Sequence, residues 1–185
     1  MRIALIGPAS TGKTTLAHSL SKELHLPVIS ECIRTSAKNL GIANISTIDR
    51  DTRIMLQADA LRLQQSIEGI YKSGFIADRS SLDYAAYVRG FFGECSFEEV
   101  YTRTAATSEY ELLIYVPHFD DAGQRDDGFR LNASAFAKVE EEVRKQLSRE
   151  AVTDRMKGKN CHYHRLISNG YEARINEVKQ IVHCH

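Results

Sequence analysis

The chain alternates short apolar runs with longer stretches in which apolar residues recur every three or four positions. Arg2-Ile3-Ala4-Leu5-Ile6 is the first run and ends in Gly7; so compact an apolar stretch predicts a parallel strand buried on both faces. Leu16, Leu20 and Leu24 then recur at helical spacing, and the pattern stops at His25 before Pro27-Val28-Ile29-Ser30, a second strand. Strand, helix and strand in quick succession predict a βαβ unit.

From Glu31 to Ser73 the pattern is mainly helical. Ser46-Thr47-Ile48-Asp49 offers a capping-box start to a long helix whose core face carries Ile54, Ala58 and Leu61. Gly74-Phe75-Ile76-Ala77 predicts a third strand ended by Asp78, Leu82 to Val88 a helix, and Leu112-Leu113-Ile114-Tyr115-Val116 a strand closed by Pro117. The stretch from Phe119 to Arg130 is rich in Asp, Gly and Arg and reads as a lid loop spanning about residues 119–131. Phe136, Val139, Val143 and Leu147 mark a helix, Tyr163 to Ile167 a last strand, and Tyr171, Ile175, Val178 and Val182 a final amphipathic helix. The alternation predicts an α/β fold, a parallel sheet covered by helices on both faces. No repeat or linker interrupts residues 1–185, which predicts a single domain.

Composition narrows the partners. The 24 Lys+Arg balance 24 Asp+Glu, which removes the basic footprint of a protein that coats a nucleic acid polymer or an anionic membrane. No apolar run reaches the ~20 residues that span a bilayer, and Ile3 to Ile6 is too short for a signal peptide; the expected location is cytoplasmic. The four cysteines, Cys32, Cys95, Cys161 and Cys184, form no CxxC pair and read as reduced thiols. Cys161, His162, His164, His183, Cys184 and His185 are ligand-type residues whose spacing fits no standard zinc pattern.

Gly7-Pro8-Ala9-Ser10-Thr11-Gly12-Lys13-Thr14 matches G-x-x-x-x-G-K-[ST] between a strand and a helix, the context that phosphate binding requires. Glycines let the backbone curl so that successive N–H groups converge on phosphate oxygens, and the helix beginning near Lys13 adds its positive end. Gly7, Ser10, Thr11, Gly12, Lys13, Thr14 and Thr15 are therefore the candidate ATP-binding residues. Lys13 would reach the β- and γ-phosphates, and the Thr14 hydroxyl would ligate Mg²⁺.

Ligands of an open parallel sheet gather outside the carboxyl ends of its strands, which directs attention to Glu31 after the second strand and Asp78 after the third. Asp78 ends an apolar strand as a magnesium-holding carboxylate would; Glu31 is assigned to the acceptor side, as general base or as a substrate hydrogen-bond partner. Arg34 and Arg79, one beside each acid, and Arg125 and Arg130 in the lid supply cations for phosphoryl charge. Lid closure would carry Arg125 and Arg130 to the phosphates and exclude water.

These residues together resemble the small P-loop kinases typified by the ribosylnicotinamide kinase domain of the NAD regulator NadR. The resemblance rests on Gly7 to Thr14, Ser30-Glu31-Cys32-Ile33-Arg34, Asp78 and Asp127-Gly128-Phe129-Arg130. Asp78-Arg79 followed by Ala86-Tyr87 is also similar to thymidylate kinase, with Ser80 and Val88 departing from that pattern, and Asp78-Arg79-Ser80 is similar to the deoxynucleoside kinases. The resemblance implies a three-layer P-loop fold with a five-stranded parallel sheet. It also implies transfer of the ATP γ-phosphate to a nucleoside hydroxyl or a nucleotide phosphate, acceptor-binding helices over about residues 31–73, and an adenine site near Ser168 to Gly170. Tyr84, Tyr87, Phe91 and Phe92 are open to either base stacking or core packing. A nucleoside-type acceptor, a nucleoside monophosphate and a nucleotide-dependent switch all remain open, as does the oligomeric state, a homodimer included.

Overall fold

The computed structural model describes residues 1–93, 109–118, 133–156, 158 and 160–184. Its strands are β1 (Arg2–Ile6), β2 (Val28–Ile29), β3 (Phe75–Asp78), β4 (Leu112–Tyr115) and β5 (His162–Arg165). They form one sheet in the order β2-β3-β1-β4-β5, with every pairing parallel. The described helices are α1 (Lys13–Leu24), α2 (Cys32–Asn39), α3 (Arg50–Ile70), α4 (Ser81–Phe92), α5 (Ala133–Gln146), α6 (Arg149–Arg155) and α7 (Tyr171–His183).

The period of two along β1 explains the layering. Ile3 and Leu5 point to one face, where Leu16, Ala17 and Leu20 of α1 and Ile175 and Val178 of α7 cover them. Ala4 and Ile6 point to the other, packed with Ala60 and Leu61 of α3, Leu82 and Ala85 of α4 and Val139 and Val143 of α5. Both faces are dry, so the central strands read as unbroken apolar runs rather than alternating ones. The outcome is a three-layer α/β fold with a five-stranded parallel sheet, as the sequence predicts.

Two boundaries differ from expectation. The long helix does not start from a Ser46 box: Ile45–Thr47 forms a short 3-10 turn, and Asp49 caps α3 by accepting from the Thr52 N–H at 2.8 Å. A carboxylate next to the first helical turn is the better cap and dipole partner. The last strand ends at Arg165 rather than Ile167. Leu166 makes the last ladder bond, to the Tyr115 carbonyl, and the next two N–H groups, of Ile167 and Ser168, turn to the Glu177 carboxylate. Ile167 is left 80% exposed. The lid segment 119–131, with Arg125 and Arg130, lies outside the described residues, as does Cys95. Among the described residues no helix is long and apolar enough to cross a membrane.

Candidate functional site

The parallel order puts the carboxyl ends of β1, β2 and β3 side by side, and the chain after each carries a candidate residue. After β1, Gly7 takes φ 132°, and a Cβ there would stand 2.7 Å from the Val116 carbonyl oxygen; only glycine fits so close to the neighbouring strand end. Ser10 at φ 62° and Gly12 at φ 86° turn the loop back, and Gly12 becomes the N-cap residue of α1. The loop therefore delivers the start of a twelve-residue helix to the carboxyl end of the sheet, with its N–H groups and positive dipole end facing outward from the strands.

Lys13 is 5% exposed. Its ammonium donates to the Gly7 carbonyl at 3.0 Å, to Thr11 Oγ1 at 3.3 Å and to the Pro8 carbonyl. Burial, assisted by the positive charge of Arg79, lowers its pKa to about 8 in spite of Asp83, Asp78 and Glu31. The next residue, Thr14, donates from its hydroxyl to Asp78 Oδ2 at 2.5 Å, joining the helix start to the end of β3. Thr15 is exposed on α1, and Ser10 and Thr11 lie in the loop, Thr11 buried at 1%.

Glu31, the residue before α2, reaches across to β3: Arg79 Nε donates to Glu31 Oε1 at 2.5 Å, with side chains only 11% and 19% exposed. Arg34 Nε lies 3.5 Å from Glu31 Oε2, and its side chain is half exposed. Burial alone would push the Glu31 carboxyl up, but the charge and hydrogen bond of Arg79, helped by Lys13 and Arg34, outweigh it and hold the group below the usual carboxylate range. Arg79 in turn lies over the Tyr87 ring, 4.8 Å from its centroid, so Tyr87, like Tyr84, is core packing at this site.

Sequence reasoning missed Asp83. Fully buried on α4, it accepts from the Ser80 N–H and hydroxyl, both at 2.8 Å, through Oδ2, and from the Gly7 N–H at 3.2 Å through Oδ1. It also lies 3.8 Å from Arg79 Nη1. Asp83 closes a capping box with Ser80 and at the same time ties the phosphate loop to α4. Burial outweighs the neighbouring cations and pushes its carboxyl pKa up. The Ser80-x-x-Asp83 spacing was the legible signal. Arg174 was also missed: from α7 its guanidinium donates to the Thr11 carbonyl at 3.3 Å and the Ser168 carbonyl at 3.4 Å.

A family profile described as an AAA domain matches the sequence over residues 2–174. The chain belongs to this AAA-domain family. No curated protein matches it. Among solved structures, this AAA domain is similar to deoxyadenosine kinase from M. mycoides with products dCMP and dCDP bound, at 12% identity and TM-score 0.73 over the whole of both chains. It is similar to NadR in complex with NAD and AMP-PNP at 20% identity and TM-score 0.65, covering 98% of this chain and 48% of that one; the chain thus spans about half the length of NadR. Thymidylate kinase from Candida albicans follows at 16% identity and TM-score 0.67, with 98% and 90% covered. These similarities establish that the AAA domain shares a fold with P-loop nucleoside and nucleotide kinases.

Proposed function

We propose that the chain is an ATP- and Mg²⁺-dependent phosphotransferase that moves the γ-phosphate of ATP to the hydroxyl of a nucleoside-type acceptor, ribosylnicotinamide included. The observation that carries the reading is the placement of two carboxylates at adjoining strand ends with different partners. Asp78 is joined to the helix-start hydroxyl of Thr14, and Glu31 to the guanidinium of Arg79. The residues present fit the divalent ion: hydroxyl and carboxylate oxygens suit Mg²⁺, which keeps several waters and takes few protein ligands. Among the described residues there is no group of three or more His, Cys, Asp and Glu side chains that would form a protein cage. Mg²⁺ held near Thr14 and Asp78 would supply charge neutralisation between the β- and γ-phosphates.

The chain's own residues do the rest by positioning. Loop N–H groups from Ala9 to Thr14 receive phosphate oxygens, and the Lys13 ammonium exchanges its loop carbonyls for the β- and γ-phosphates. Glu31, ionised beside Arg79, accepts the hydrogen bond of the attacking hydroxyl and aligns it; its lowered pKa makes it a weak base, sufficient for a transfer with little covalent demand on the protein. Arg79 stabilises charge on the moving phosphoryl group, and Arg125 and Arg130 of the lid complete that role. The unit is taken as one domain over residues 1–185, with helices over about 31–73 on the acceptor side. The convergence of Arg34 and Arg79 on Glu31 also favours a second reading, a nucleoside monophosphate acceptor.

A coupled ADP-release assay with ATP and Mg²⁺ across ribosylnicotinamide, nucleosides, deoxynucleosides and their monophosphates tests this. A member of the panel should raise ADP release well above the water-only rate. If none does, the phosphotransferase reading is wrong and a nucleotide-dependent switch takes its place.

A further inference from the structure

Arg79 is one of three residues other than glycine with a positive φ among the described residues, at φ 89°. A side chain in this left-handed region is disfavoured, so something must over-determine the backbone there. The backbone N–H groups of residues 79–81 and the Arg79 carbonyl each have a partner. The Arg79 N–H donates to the Leu5 carbonyl of β1 at 3.1 Å, the Ser80 N–H to Asp83, and the Ser81 N–H to the Tyr110 hydroxyl at 3.0 Å. The Arg79 carbonyl accepts from Gln64 Nε2 at 3.3 Å.

Two of these bonds lead to one place. Gln64, fully buried on α3, gives its other N–H to Glu68 Oε1 at 2.8 Å, and the Tyr110 hydroxyl gives its proton to the same oxygen at 2.6 Å. The chemistry fixes the polarity: an amide end facing a carbonyl and a carboxylate must be the NH₂ end, and a hydroxyl that receives a backbone N–H passes its own proton onward. Edge-on contact with the Phe75 ring, 6.3 Å between centroids, fixes the Tyr110 ring. Among the described residues, the hydrogen bonds to the Glu68 carboxylate come from Gln64 and Tyr110.

For the phosphotransfer proposed above, on which this inference rests, the geometry points to Gln64 and Tyr110, anchored together on Glu68, as positioning residues that hold the Arg79 turn left-handed and so aim its guanidinium at Glu31. Without them residue 79 relaxes toward negative φ, and the Arg79 side chain leaves the carboxylate that it meets at 2.5 Å.

The test reads Arg79 directly by ¹⁵N–¹H spectroscopy of the full chain. The Arg79 Nε–H signal is identified by its loss in Arg79→Lys, and its hydrogen exchange is followed in Gln64→Met and Tyr110→Phe. Gln64→Met keeps the length and burial and removes both donors; Tyr110→Phe keeps the ring. Each variant should speed exchange of Nε–H about tenfold or more, and should lower acceptor-dependent kcat by roughly tenfold with the KM for ATP unchanged. In an Arg79→Lys background neither should lower kcat further. An Nε–H signal that keeps its shift and exchange rate in a folded variant overturns the inference, even when Tm falls, because a merely structural role moves Tm alone. The unsubstituted protein supplies its own check: Gln64 side-chain protons exchanging as fast as those of an exposed amide overturn it whether or not the variants fold. These spectroscopic results do not depend on any acceptor being turned over, so failure of the phosphotransferase reading shows separately, as a wild type without acceptor-stimulated ADP release.

Discussion

Replacing Glu31 by Gln isolates its contact with Arg79, on which the proposed acceptor side rests. Removing one partner of a buried ion pair costs about 3–5 kcal/mol, and the pair qualifies as buried at 11% and 19% side-chain exposure. Two features reduce the loss: the amide oxygen still accepts from Arg79 Nε, and Asp83 Oδ1 remains 3.8 Å from Nη1 to share the charge. What disappears is the ionic part of one charge-assisted bond, about 2 kcal/mol. In urea, with a slope of about 2 kcal/mol per molar, the midpoint at pH 7 should fall by about 1 M. The pH dependence supplies the sign. The Glu31 pKa is lower in the folded than in the unfolded chain, so its stabilisation is fully present above the unfolded value of about 4.3 and is lost as pH falls through the folded one. Asp83, pushed up by burial, works in the opposite direction but is common to both proteins. The midpoint difference between wild type and Glu31→Gln should therefore be constant from pH 8 to pH 6 and shrink below about pH 4. Equal midpoints at pH 7, or a difference that persists undiminished into acid, would refute the reasoning.

Lys13 and Asp83 give two further expectations. With its pKa lowered to about 8, Lys13 is charged at neutral pH and loses its proton as pH rises; on the proposed reading ATP restores the charge, so binding takes up a proton. The Kd for ATP, measured by calorimetry, should be flat below pH 7 and weaken by up to about tenfold per unit above pH 8, and Lys13→Met should abolish the slope; a slope that survives the substitution contradicts the assignment. In Asp83→Asn one end of the side chain presents NH₂ to donors, either the Gly7 N–H or the Ser80 pair. Relief of the buried charge offsets part of this, but two facing donors dominate, and the denaturation midpoint should report a net loss of about 1–2 kcal/mol; an unchanged midpoint would show that Asp83 does not hold the loop.

What could be read in the sequence and what could not divide along the range of the interactions. Lys13 and Thr14 sit in a contiguous motif whose backbone conformation is local, set by Gly7 and Gly12. Glu31 and Asp78 lie 47 positions apart in number yet end neighbouring parallel strands, so one rule about strand ends placed both near the loop. Gln64, Tyr110 and Arg174 carried no such signal. Their partners, the Arg79 carbonyl, the Ser81 N–H and the Thr11 carbonyl, are backbone groups chosen by how α3, β4 and α7 pack. The end of β5 was misread for a related reason: Ile167 continues the apolar pattern, but its N–H belongs to Glu177 on α7.

The charge balance of the whole chain is nearly kept in the site itself. Among the described residues Lys13, Arg34, Arg79 and Arg174 stand against Glu31, Asp78 and Asp83, four cations against three carboxylates. So nearly balanced a cluster draws a polyanion by little net field. On the proposed reading, attraction of a triphosphate falls to the inward N–H groups of residues 9–14, to the start of α1 and to a divalent ion beside Asp78. The two guanidinium groups at Glu31 are then committed to the acceptor side. Such a division explains why one site needs both acids. Asp78 completes a place for a cation, whereas Glu31 cancels the charge of Arg79 until a phosphoryl group arrives to compete for it.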